Sequence, residues 1–299
     1  MLRGDAYALI AIPNGWQRKA LRGEHKPVQL YYNTQLLTAG NLVARDVRTA
    51  AGTISVVRAA GQRALHGEAP PFAIAAANPV GTELHALFNP ALDYARFLAL
   101  AVIAAMLHIF AVVAAADACG RELREGSAGN WNNAAGGKAL PAIAGKLAPY
   151  GLWFGALSSS ILLVTLALLG IDIRGHTTLL IVGMCLFMAS SLALGAFLVG
   201  LVANLRMATS VASLMISPAL AFSGLTFPTM SMPVAIKLWS LLLPLTYYIR
   251  LQVEQVSMGA PLSNAPALLV PLLLFTVLPF LLLPRWRRIL PDEAYWGRQ

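Results

Sequence analysis

Hydrophobic residues fall along this chain in two patterns. Over residues 1–94 they form short runs broken by charges. Beyond residue 95 they form long stretches with no charge at all. Phe97–Ala116 and Leu147–Ile171 contain no Asp, Glu, Lys or Arg, Thr177–Leu205 and Met207–Phe227 are separated only by Arg206, and a last stretch covers about Ala265–Pro284. A membrane-spanning helix needs roughly 20 apolar residues. A single Arg or Lys at mid-membrane costs about 2.5–3.5 kcal/mol on insertion scales. Five such windows predict a membrane α-helical fold: a polytopic bundle of five spans.

The segment Phe222–Pro244 breaks the pattern. A long apolar run reaches Ser223-Gly224 and then meets Pro228 and Pro233, with Met230 and Met232 between the prolines. A shorter run, Leu238–Leu243, stops at Pro244 and is too short to cross. Proline removes a backbone donor and clashes with a continuing helix, and in hydrocarbon each freed backbone group costs several kcal/mol. The break therefore lies at a membrane surface or is buried in protein. It reads either as an ordinary loop between spans or as a broken helix that dips back into the outer half of the membrane, with Gly224, Pro228, Met232, Pro233 and Pro244 as candidate residues of an external gate.

The first 94 residues contain nothing long enough to span and read as a small α/β region. Tyr7–Ile12, ended by Pro13-Asn14-Gly15, predicts a strand and turn, and Val28–Tyr32 a second strand. Trp16–Arg22 reads as a short polar helix. Leu36–Leu65 has apolar residues at helical spacing and predicts a long amphipathic helix, with an interruption near Gly52. Glu68–Asn89, with Pro70-Pro71, Pro79 and Gly81, reads as a linker into a membrane domain over residues 95–290.

Composition sharpens this picture. The chain is 58% hydrophobic and 12% charged, outside the range of a soluble domain. Its net charge of +9 raises nucleic acid as a partner. Much of that charge flanks apolar runs, so no nucleic-acid partner is expected. One set of span ends carries Arg121, Arg124, Lys138, Lys146, Arg206, Arg285, Arg287, Arg288 and Arg298; the other carries Arg96, Arg174, Lys237 and Arg250. Nine against four makes the first set cytoplasmic, places the C-terminus inside and puts residues 1–94 outside. Export of a region of that length implies a wrong gene start, a missing upstream span or translocation by the first pass as a reverse signal anchor, and a missing upstream span is the expectation. Two cysteines, Cys119 and Cys185, show no paired spacing and predict neither a disulfide framework nor a metal site.

Candidate chemistry is sparse. Asp117–Gly126 (DACGRELREG) places Arg121 and Glu125 one helical turn apart, able to pair, with Glu122 and Arg124 beside them. Such a two-sign cluster at a membrane exit is either a docking point for a soluble partner or a solvated helix end obeying the charge rule. The connector Ser127–Gly137 follows, rich in Gly, Asn and Ala and carrying Trp131. His108 is the only ionisable group within the predicted spans; it reads as a functional candidate or as a neutral imidazole packed on a neighbouring helix. Ser158–Ser160, Ser190-Ser191 and Ser217-Pro218 read as helix–helix contacts, and Gly183, Gly195 and Gly200 permit close approach. No GxSxG, HExxH, CxxC or P-loop is present, so no ATP hydrolysis and no cofactor are expected in this chain.

Three stretches then resemble one family. Arg121-Glu122-Leu123-Arg124-Glu125-Gly126-Ser127 is similar to an Arg-Glu…Glu-Gly-Thr signature, with Ser127 for the usual threonine. Phe222-Ser223-Gly224-Leu225-Thr226-Phe227-Pro228…Ser231-Met232-Pro233 is similar to a Ser-Gly-Phe…Pro…Met-Pro segment, and Leu243-Pro244-Leu245-Thr246-Tyr247-Tyr248 and Met258-Gly259-Ala260 continue it in register. Ile12-Pro13 and Phe88-Asn89-Pro90 resemble the family's external domain and its junction. The family is the permease subunit of bacterial ABC exporters of the type-2 membrane-domain class, whose members have six spans; the five here match spans two to six.

The resemblance implies a permease of the bacterial inner membrane that pairs with a second copy or a homologue and is driven by separate ABC ATPase subunits, where ATP and Mg would bind. Arg121, Glu122, Arg124, Glu125 and Gly126 would then couple to the ATPase, and a periplasmic adaptor protein and outer-membrane channel would meet the external region. A hydrophobic or amphipathic substrate is implied. The alternatives are a membrane-embedded enzyme using His108 or the Asp117 region, and a non-transporting scaffold or truncated, inactive permease.

Overall fold

Two physical regimes in the sequence become two compact units, Met1–Asp93 and Tyr94–Gln299. The computed structural model describes residues 6, 8–16, 27–34, 37–64, 82–89, 93–227, 229 and 232–297 of the 299.

The first unit is a three-stranded sheet with a helix. β1 (Ala8–Ala11) pairs antiparallel with β2 (Val28–Asn33), Ile10 opposite Leu30. Gly15, at φ +70°, closes the predicted turn, where the Trp16 N–H reaches the Pro13 carbonyl at 3.0 Å. The rest of the polar helix read over Trp16–Arg22 lies outside the described residues. α1 (Leu37–Ala64) runs straight through Gly52, without the expected interruption. One glycine costs about 1 kcal/mol in a helix, too little to break a 28-residue one. Gly40 lets α1 sit on β2, because a Cβ there would strike the Asn33 carbonyl. β3 (Thr82–Leu87) corrects the linker reading of Glu68–Asn89. It pairs parallel to β2, Leu30 opposite Leu84, and TELHAL carries the alternation that the nearby prolines obscured. A parallel neighbour needs a crossover, which α1 supplies. Residues 65–81 lie outside the described set.

The second unit is helical. α2 (Tyr94–Arg124) extends past the apolar stretch 97–116, so the charged cluster rides on the same helix. α3 (Ala128–Ala134) is the connector. α4 (Ala139–Leu168) begins earlier than the stretch Leu147–Ile171 and contains Pro149. α5 (Thr177–Val202) is the most buried membrane helix and packs on α2, α4 and α9 (Pro266–Leu281). Its glycines set the distances, since a Cβ on Gly195 would strike the Val112 carbonyl and one on Gly183 the Leu251 side chain. α9 continues into α10 (Leu283–Ile289). Among the described residues four helices are long and apolar enough to cross a membrane: Leu98–Arg124, Ala139–Leu168, Thr177–Val202 and Leu262–Ile289.

The stretch Met207–Phe227, read as a full span, is different. α6 (Leu205–Ile216) has 12 residues, about 18 Å of helix. At Ser217-Pro218 it gives way to irregular turns reaching Phe227. Proline there removes a donor and crowds the preceding turn. Hydroxyls take over carbonyls that a helix would have satisfied: Ser223 donates to Leu220 O at 2.7 Å and Thr226 to Ala221 O at 2.8 Å. A second bent element, α7 (Val234–Leu241) and α8 (Pro244–Val253) with its continuation to Met258, turns by 85° and is long enough to count as a fifth span.

Candidate functional site

Two places are built from polar side chains held in unusual backbone. The first is the basic end of the bundle, where α2 stops. Ser127 N–H returns to the Glu122 carbonyl at 2.9 Å while Gly126 sits at φ +74°. That is the Schellman way of ending a helix, and it asks for glycine because the left-handed conformation penalises any Cβ. A Cβ on Gly126 would meet nothing within 4 Å, so the requirement is conformational alone.

The four charged candidates divide into two groups. Glu122 turns inward: its carboxylate takes the Lys146 ammonium of α4 and the Ser127 hydroxyl, and both ionic partners are mostly buried, 25% and 19% exposed. Lys146 Nζ also lies 4.8 Å from the Trp131 ring of α3, and Trp131 Nε1 donates to Ala142 O at 3.1 Å. One carboxylate thereby ties α2, the connector and α4 together. Arg121, Arg124 and Glu125 face outward. The Arg121–Glu125 pair expected from spacing does not form. Arg121 pairs with Asp117, the better order of acid before base along a helix. Glu125 lies past the last helical residue and takes neighbouring Arg124 at 3.1 Å.

The second place is the break. Gly224 is at φ +89°, and a Cβ there would lie 2.8 Å from Thr229 Cγ2. Pro228 lies outside the described residues. Met232 N–H reaches the Thr229 carbonyl at 3.4 Å, and Pro233 leads into α7, its carbonyl accepting from Lys237 N–H at 3.0 Å. Pro244 is the first residue of α8, where its missing donor is harmless. At the bend, Thr246 Oγ1 donates to Ser240 O at 2.7 Å and Tyr247 Oη to Leu241 O at 3.0 Å. The Thr-Tyr pair after the proline is therefore a cap on the helix before it.

Depth follows from the contacts of α8. Its far end meets the start of α5, with His176 N–H on Gln255 Oε1 at 3.0 Å. Its Tyr248 stacks on Phe187 at 4.5 Å, some three helical turns or about 15 Å further along α5. The bend thus sits well down the length of α5, and apolar Val234, Leu238 and Leu242 on the α7 side are exposed.

His108 is fully buried. Its Nδ1 is 2.8 Å from Ser191 Oγ and its ring stacks at 5.5 Å on Phe187. It joins α2 to α5, which is the packing alternative. Buried Gln252, Glu254 and Gln255 escaped the sequence reading. They lie on and beside a π-helical turn, Glu254–Met258, where Arg250 Nε pairs with Glu254 Oε1 at 3.1 Å. Free thiols Cys119 and Cys185 are buried and exposed respectively.

The residues described form a multi-pass helical bundle of membrane-spanning character and a small N-terminal sheet unit, with a two-sign polar turn at one end of the bundle. The chain belongs to the ABC-2 transporter family: a family model described as "ABC-2 family transporter protein" matches residues 1–283. Comparison with curated proteins and with solved structures gave no match. Membership carries with it a transport subunit rather than an enzyme, and a multi-pass location in a membrane.

Proposed function

We propose that this chain is the permease subunit of an ATP-driven exporter, with Arg121, Arg124 and Glu125 presented to an ABC ATPase subunit and Glu122 holding that surface in place. The observation that carries the reading is the divided charge of the α2 terminus. Three half-exposed charges of both signs stand on a turn whose backbone is fixed by Gly126 and by the Glu122–Lys146 tie. Opposite charges arranged on a rigid support fix the register of a partner. The excess of basic residues at this end makes it cytoplasmic, in a bacterial inner membrane, with the C-terminus inside.

Residues 205–227 then cross as a helix that ends in capped turns, and the bent pair α7–α8 is external and re-entrant, capping the exit of a path shared with a second permease copy. Its support is the depth of Tyr248 along α5 and the side-chain capping of carbonyls at the bend, since irregular backbone survives at membrane depth only where its polar groups are satisfied. Apolar helix surfaces suit a hydrophobic or amphipathic cargo. The N-terminal sheet unit is offered to a periplasmic adaptor protein and, through it, an outer-membrane channel.

Purification from native membranes in mild detergent tests the reading. An ATP-hydrolysing subunit accompanies the wild-type chain, and Glu122→Ala combined with Glu125→Ala uncouples its hydrolysis from transport while leaving membrane insertion intact. A chain that brings down no such subunit, or a double variant that still transports, overturns the assignment.

A further inference from the structure

The family match ends at residue 283, yet the residues beyond it close over the polar turn just described. Trp286 is fully buried against α5, where a Cβ on Gly200 would lie 2.5 Å from its Nε1, and Arg285 Nε donates to Gly200 O at 2.8 Å. The Trp286 ring meets the Trp131 ring of α3 edge-on at 5.9 Å. Eight residues after Arg285 a short turn, Glu293–Tyr295, is capped by Asp292. It delivers Trp296 onto α3, where a Cβ on Gly129 would lie 2.8 Å from Trp296 Cη2, and Gly297 N–H onto the Leu123 carbonyl at 2.9 Å.

Two of these contacts fall on the carbonyls of helix ends. Carbonyls in the last turn of a helix lack an internal partner, and Leu123 and Gly200 belong to the last turns of α2 and α5. One segment thus caps two membrane helices and clamps the connector between them. The connector needs clamping. α3 has only seven residues, too short to be stable alone. It lies between Gly126 on one side and Gly136-Gly137 on the other, all at positive φ with open space around them. Among the described residues no side chain packs on these flanking glycines, so beyond the Trp131 contacts with α4 the connector is held by residues 285–297. Both indole N–H groups are buried without an acceptor among the described residues. Shape holds these rings in place, with no hydrogen bond to reward them.

We infer that residues 285–297 are a positioning strap of the coupling element, which makes a displacement of α3 a displacement of the α2 and α5 ends. This rests on the coupling role proposed for residues 121–126, and it adds Trp286, Trp296 and Gly297 as positioning residues that touch no partner themselves.

Hydrogen exchange on the full chain in mild detergent, with no partner, judges the strap. In Trp296→Ala and in Gly129→Val, exchange over residues 125–137 quickens at least about tenfold. In Trp296→Phe it stays as in the wild type, and over residues 180–196 of α5 it is unchanged in all three. No change in Trp296→Ala, or equal quickening along α5, overturns the proposal. Transmission is read in the complex with the ATPase subunit that co-purifies with the chain, trapped with ATP and vanadate. In the wild type and in Trp296→Phe, trapping alters exchange at both 125–137 and 198–203; in Trp286→Ala combined with Trp296→Ala it alters 125–137 alone. A doubly substituted complex that responds at both segments sinks the strap while leaving the coupling role standing. The absence of any co-purified ATPase subunit sinks the coupling role itself.

Discussion

Thr246 donates its hydroxyl to the carbonyl of Ser240 across the 85° bend between α7 and α8. The sequence Leu-Pro-Leu-Thr-Tyr-Tyr thereby serves both sides of a break. Pro244 starts one helix without wasting a donor, and Thr246 and Tyr247 satisfy carbonyls left by the other. The Ser240 carbonyl also accepts from Leu243 N–H at 3.2 Å, so losing the hydroxyl removes one of two hydrogen bonds and costs about 0.5–1.5 kcal/mol. Thr246→Val, close in shape but without the hydroxyl, loses about that much stability in thermal unfolding in detergent. Thr246→Ser, which keeps the donor, loses less than Thr246→Val.

Gly126→Ala tests the helix terminus. With empty space around the position, only the left-handed backbone opposes a side chain, at roughly 1–2 kcal/mol. Gly126→Asn loses less than Gly126→Ala, because asparagine tolerates that conformation better. The two variants compared in one unfolding assay give the order, and equal losses would contradict the conformational account.

Glu122 and Lys146 form a mostly buried pair. Removing one partner leaves the other charge badly placed, whereas removing both removes the conflict. Glu122→Gln and Lys146→Met each destabilise, and the double variant loses less than the two losses summed. The coupling is on the order of 1 kcal/mol, at the upper end for a pair that keeps some solvent. Additive losses in a double-mutant cycle would show that the tie does not exist in the membrane.

Gly195 and Gly151 make a matched pair of substitutions. A Cβ at Gly195 runs into the Val112 carbonyl, a backbone atom that cannot step aside, whereas one at Gly151 meets nothing within 4 Å. Gly195→Ala forces α2 and α5 apart and costs about 1–3 kcal/mol. Gly151→Ala is neutral or slightly stabilising, by up to about 1 kcal/mol of helix propensity. Yield of monodisperse protein and melting temperature read both.

Charge-free stretches were legible because the bilayer penalises every buried charge in the same way. The windows holding α2, α4, α5 and α9 therefore stood out without any knowledge of packing. The window over Met207–Phe227 was equally free of charge, but composition reports partition and says nothing of whether a helix continues past Pro218. β3 was hidden for a related reason: Pro70, Pro71, Pro79 and Gly81 marked a linker, and the four alternating residues 83–86 were too few to outweigh them. At the polar turn the residue types were visible and the partners were not. Arg121 had an acid on each side at helical spacing, and the choice of Asp117 over Glu125 depended on where the helix stopped. The clasp of Trp296 on Gly129 joins positions 167 apart, and no local pattern announces it.

The π-helical turn after α8 has one more consequence. Arg174, Gly175 and His176 hold it through four hydrogen bonds, to the carbonyls of Gln255, Val256 and Ser257 and to the Gln255 side chain. The opposite tip, at Leu242, is exposed apolar surface. On the gating role proposed above, the bent pair is hung along that one edge: a covalent bolt between the 174–176 loop and the π-helical turn would leave a swing of the Leu242 tip unhindered, whereas one at the tip would jam it.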